Sequence, residues 1–94
     1  MSNNSNDTIF IGKKPLMTYV TSTIVQLATK PTVTIKARGL TTAIAIDVAQ
    51  VVLKKTKPAF TIDDVLIGSE SLVSSDGRNR DVSTIEISIK RTTA

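Results

Sequence analysis

The last third of the chain limits the possible folds most. Residues 60–73 and 82–91 are rich in β-branched and apolar side chains, and Ser74-Ser75-Asp76-Gly77-Arg78-Asn79-Arg80 stands between them. Asp-Gly readily adopts the positive backbone angles of a hairpin, so the two runs are predicted to be antiparallel strands joined by a turn. In the second run Ile85, Ile87 and Ile89 alternate with Thr84, Glu86, Ser88 and Lys90, the period of a strand with one buried face. In the first, Phe60 and Ile62 share one parity while Val65 and Ile67 share the other; a bulge near Asp63 and Asp64 accounts for the switch.

Upstream, residues 8–12 form a short apolar strand that stops at Gly12. Lys13 and Lys14 follow, and Pro15 opens a helix predicted over residues 15–28. Proline suits the first helical position because the N–H it lacks would be unpaired there. Leu16, Val20, Ile24 and Leu27 recur at helical spacing. Composition argues for a strand, since Tyr19, Val20, Thr21, Thr23, Ile24 and Val25 are β-formers; period, length and the proline decide for a helix. Residues 32–37 then alternate, Val33 and Ile35 against Thr34 and Lys36, as a half-buried strand ended by Arg38 and Gly39. A second helix runs to about Thr56, with a hydroxyl cap expected from Thr41 or Thr42. Its buried stripe is Ile44, Val48 and Val51 or Val52, beside the small Ala45 and Ala49. Lys54, Lys55 and Lys57 gather where the helix dipole favours cations, and Pro58 bars continuation. The order is strand, helix, strand, helix, strand, strand: a single α/β domain over residues 8–91, preceded by a Ser/Asn-rich tail, residues 1–7, expected to be disordered.

Composition narrows the chemistry. The chain has no Cys and no His, which leaves no disulfide framework, thiol nucleophile, usual zinc site or histidine base. Asp63 and Asp64 are adjacent and point to opposite faces of a regular strand, and Asp47, Glu70 and Glu86 have no evident partners. An enzyme is therefore not expected, nor a cofactor or a metal. No apolar run approaches the roughly 20 residues of a membrane span, and the N-terminus lacks a signal core, so no membrane partner is expected. The only aromatic residues are Phe10, Tyr19 and Phe60, so the core must be built from Ile, Val, Leu and Ala. So small a domain buries a limited core, which makes pairing with a second copy a reasonable expectation.

What remains is charge. Lys and Arg number 12 against 8 acidic residues, a net +4, and the isoelectric point of about 9.7 lies where nucleic acid becomes a serious candidate. Residues 8–39 hold Lys13, Lys14, Lys30, Lys36 and Arg38 and no acidic residue. Lys36 and Arg38, two apart in a strand, leave the same face. If the first two strands are neighbours in a strand-helix-strand unit, both carry their cations to one end of the sheet. Such a patch suits a row of phosphates, lysine acting as a point charge and arginine as a fork. Arg78 and Arg80, on or just past the Asp-Gly turn, tip an arm that could reach the groove of a duplex.

These residues carry a resemblance. Ile11-Gly12-Lys13-Lys14-Pro15, Lys36-Ala37-Arg38-Gly39, Ala45-Ile46-Asp47-Val48-Ala49, Gly68-Ser69, Ser75-Asp76-Gly77-Arg78 and Val82-Ser83-Thr84-Ile85-Glu86-Ile87 occur in the order and spacing of the Alba family of small archaeal chromatin proteins. The resemblance covers about residues 9–90. It implies a compact domain with a mixed four-stranded sheet, two helices and a protruding β-hairpin, cytoplasmic and chromosome-associated, that coats or compacts double-stranded DNA as a homodimer. RNA is the alternative ligand, and a paralogous Alba subunit the alternative partner. On that basis Lys13, Lys14, Lys36, Arg38, Arg78 and Arg80 inherit contact roles, Tyr19 a weaker one, and Lys13 is a site of acetylation in the family. Leu40, Thr18 and Thr56 stand where members often have Arg, Asn and an aromatic, implying fewer polar contacts and no aromatic link between neighbouring dimers.

Overall fold

In the computed structural model residues 7–92 are described. The order is β1 (Thr8–Phe10), α1 (Leu16–Leu27), β2 (Thr32–Arg38), a 3-10 turn (Gly39–Thr41), α2 (Thr42–Thr56), β3 (Phe60–Val73) and β4 (Asn79–Arg91). One mixed sheet has the strand order β1-β2-β4-β3. β1 runs parallel to β2, as a strand-helix-strand unit requires, and the other pairings are antiparallel. Of the expected tail, residues 1–6 lie outside the described residues; the carbonyl of Asp7 accepts the Thr34 N–H at 2.8 Å, which extends the β1–β2 pairing by one residue.

Both helices pack on one face of the sheet. Ile9, Val33, Ile35, Ala37, Ile87 and Ile89 from the strands meet Tyr19, Val20, Leu27, Ala45, Val48, Ala49 and Val52 from the helices. Fully burying one aliphatic side chain of this kind contributes about 1.5–3 kcal/mol. This explains why the β-formers of residues 19–25 form a helix: tertiary burial outweighs propensities worth tenths of a kcal/mol each. Thr23 is fully buried, and its hydroxyl donates to the Tyr19 carbonyl one turn back, at 2.7 Å. Among the described residues no helix covers the opposite face of the sheet. That face presents Phe10, Thr34, Lys36, Glu86 and Ser88, with the Thr34 and Ser88 hydroxyls 3.0 Å apart across β2 and β4.

The hairpin register confirms the bulge. Ile62 pairs with Ile89, and after a shift between Ile62 and Asp64, Val65 pairs with Ile87 and Ile67 with Ile85. The extra residue returns Val65 and Ile67 to the helix side. β3 has 14 residues against 7 in β2; at about 3.3 Å per residue it is about 23 Å longer, and the excess is an arm.

Three local expectations are corrected. Pro15 occupies the N-cap, with φ −57° and ψ 148°, one position before the helix begins at Leu16. Neither Thr41 nor Thr42 caps α2 through its hydroxyl. Instead, Thr41 Oγ1 donates to the Arg38 carbonyl (2.7 Å) and accepts the Arg38 N–H (3.3 Å), while Thr42 Oγ1 donates to the Gly39 carbonyl (3.0 Å). A 3-10 turn has entered ahead of α2, so the hydroxyls close the β2 corner. Finally, β4 begins at Asn79, which puts Arg80 inside a strand opposite Leu72. The turn is shorter than composition suggested because ladder pairing, which is non-local, continues through polar residues.

Candidate nucleic-acid interface

The candidate cations gather at one end of the sheet for a topological reason. Phe10 pairs with Lys36, and the Ile11 N–H still reaches the Lys36 carbonyl at 2.9 Å. The chain then leaves β1 through Gly12, Lys13 and Lys14 beside the end of β2, where Arg38 stands. β4 is antiparallel to β2 and Arg38 pairs with Thr84, so the hairpin continues outward past that same end. Asn79 lies five residues beyond Thr84, about 17 Å along the strand, and Arg78 sits at the tip. Arg80 shares strand parity with Thr84 and Glu86, on the face opposite the helices. All six cations thus lie at one end of the molecule or on the arm that leaves it.

Tyr19 holds the lysine corner but offers no ring to a ligand. Its side chain is 6% exposed. Its Oη accepts two backbone N–H groups, from Gly12 at 2.8 Å and Lys14 at 2.9 Å. A Cβ on Gly12 would come 3.3 Å from that oxygen, so the lack of a side chain permits the close approach. Tyr19 is therefore a positioning residue: it fixes the backbone of Lys13 and Lys14 while both side chains remain exposed. Among the described residues no carboxylate lies within 4 Å of either ammonium group.

Three of the other cations, Lys36, Arg38 and Arg78, are less free. Lys36 Nζ lies 3.9 Å from Glu86 Oε1 and 5.9 Å from the Phe10 ring centroid. Arg38 Nη1 donates to Glu70 Oε1 at 2.8 Å. Arg78 Nε lies 3.7 Å from Asp76 Oδ2. Asp76 also builds the tip: its Oδ1 accepts the Ser74 hydroxyl and the Arg78 N–H, and these bonds hold its carboxyl below the usual carboxylate range. Gly77 supplies the left-handed turn at φ +84°.

Glu70 and Glu86, which had no partner in the linear sequence, thus each have one across the sheet. Glu86 could have been found, because aligning the apolar positions of β2 and β4 sets it directly opposite Lys36. Glu70 could not, because its place depends on how the bulge resets β3.

The family model described as Alba matches residues 7–69. The chain is 61% identical to the DNA/RNA-binding protein Alba of Nitrosopumilus maritimus over the whole of both chains. It is 40% identical to the protein of that name from Methanocella arvoryzae, over 92% of this chain and 91% of the other. Among solved structures, Alba from Thermoplasma volcanium superposes with a TM-score of 0.83 at 36% identity, covering 89% of this chain and 99% of that one.

Proposed function

We propose that this chain, which belongs to the Alba family, is a non-enzymatic, chromosome-associated protein that binds double-stranded DNA as a homodimer with little regard to base sequence. The observation that carries this reading is the lysine corner: two exposed ammonium groups, without a carboxylate neighbour among the described residues, on a backbone fixed by Tyr19. The relatives' name, which joins DNA and RNA, supports nucleic acid as the ligand class. The cations sit on corners and a hairpin, and contacts of that kind bind phosphate and position the protein without discriminating bases.

The test is a salt titration. The logarithm of affinity should fall linearly with that of salt, by about 0.9 for each phosphate neutralised, and a salt-independent affinity would refute the reading. Because phosphate contacts do not choose between duplexes, competition with duplex RNA at matched salt decides which ligand is preferred.

Dimerisation is supported by the apolar side of the hairpin. Val65 and Ile67 lie on the helix side of β3, opposite the buried or half-buried Ile87 and Ile85, yet are 46% and 82% exposed. On α2, Ile46 is 44% exposed. A second copy offers the same apolar strip, as a twofold interface requires. Ile67→Asp should convert a dimer into a monomer by light scattering, because each interface would then desolvate two carboxylates. A variant of unchanged mass would place the interface elsewhere.

A further inference from the structure

We propose that Glu70 straps Arg38 across the sheet to the root of the hairpin arm, so that a carboxylate competes with phosphate for the Arg38 guanidinium. The inference rests on the nucleic-acid reading above and assigns an affinity-setting role to a residue outside the cationic set.

The strap is built by register. Thr84 on β4 lies opposite Arg38 on one side and Gly68 on the other. The Arg38 side chain therefore passes a threonine and then a residue with no side chain. A Cβ on Gly68 would come within 2.9 Å of Thr84 Oγ1. Glu70, two residues beyond Gly68 and of the same strand parity, receives the guanidinium at 2.8 Å. The starting point is also held, because Thr41 Oγ1 bonds both the N–H and the carbonyl of Arg38. The bond thus joins the end of β2, in the body, to β3 just where the arm leaves it, 32 residues away in sequence.

Its consequence follows from competition. Arg38 and Glu70 line one open concavity with Phe10, Lys36, Thr84 and Glu86. A phosphate that enters it meets Arg38 already hydrogen-bonded to Glu70 and Lys36 already facing Glu86 at 3.9 Å. The Arg38 and Glu70 side chains are 60% and 44% exposed, so their pair is water-accessible and exchangeable. An exposed pair is weak enough for a polyanion to break and strong enough to oppose it measurably. Once displaced, Glu70 stands beside a phosphate and repels it. Binding at the body thereby removes one side-chain tie between β2 and the root of the arm.

The test is duplex DNA binding at 0.1 M salt by wild type, Glu70→Gln, Arg38→Gln and the double variant, with Asp81→Asn as a charge-matched change on the arm. Glu70→Gln should bind about two- to fivefold tighter, the range of an exposed ion pair. In the Arg38→Gln background that gain should shrink to the general charge effect seen in Asp81→Asn. An equal gain in both backgrounds, or none in the wild-type background, would overturn the strap while wild-type binding upheld the broader reading. Failure of the wild type to bind duplex DNA or RNA would instead refute that reading. A readout without nucleic acid is the side-chain NMR of Arg38, whose guanidinium signals should move on Glu70→Gln in the free protein; unmoved signals would also overturn the strap.

Discussion

Replacing Lys13 and Lys14 together by alanine is expected to weaken duplex DNA binding about 10- to 100-fold per protomer at 0.1 M salt and leave the fold intact. Each neutralised phosphate contributes about 0.9 decade of affinity per decade of salt. Two lysines therefore account for about 1.8 decades between 1 M and 0.1 M salt. The salt dependence should become shallower by the same 1.8 per protomer, a signature that mere loosening of the protein would not give. Stability should change little, because both side chains are exposed and neither has an ion-pair partner among the described residues. Fluorescence anisotropy across a salt series and a thermal melt are the measurements. Unchanged affinity would remove the corner from the site.

Tyr19→Phe should show the opposite pattern. Phenylalanine keeps the buried ring and deletes only the oxygen that accepts the Gly12 and Lys14 N–H groups. A donor left without a partner costs about 1–3 kcal/mol when water cannot replace the bond; both bonds here are partly buried, although Gly12 and Lys14 lie at the surface, so water makes good part of the loss. A total loss of about 1–3 kcal/mol is expected, which for a domain of this size lowers Tm by roughly 5–20 °C. Affinity should fall too, because Lys13 and Lys14 lose their fixed backbone. The salt slope, however, should stay near the wild-type value, since every charge remains. Wild-type melting and binding in this variant would reduce Tyr19 to a core residue.

The two variants separate what a sequence can display from what it cannot. The lysine pair was legible because its chemistry is local: a strand ends at Gly12, two cations follow, and a proline precedes the helix. Tyr19 was legible only as an aromatic near the site. Its ring is core, its oxygen accepts the Gly12 and Lys14 N–H groups, and those bonds depend on how α1 packs. The threonines before α2 show the same limit. Thr41 has the chemistry of a cap and uses it on the backbone of Arg38, three residues back across the 3-10 turn.

Side-chain periodicity, read with the proline before α1 and the Asp-Gly turn, indicated the order of elements, the helix over residues 16–27, the bulge at Asp63 and Asp64 and the presence of a charged arm. Those features leave a signal in side-chain spacing and backbone chemistry within a few residues, although burial in the core is what holds residues 19–25 in a helix. Tertiary structure decided which cations are free and which are engaged: Lys13 and Lys14 face no carboxylate among the described residues, whereas Lys36 and Arg38 meet Glu86 and Glu70. That distinction is set by strand register, and register sums the effects of every bulge and turn between two residues. A shift of one residue in β3 would turn Glu70 to the other face and leave Arg38 without its partner.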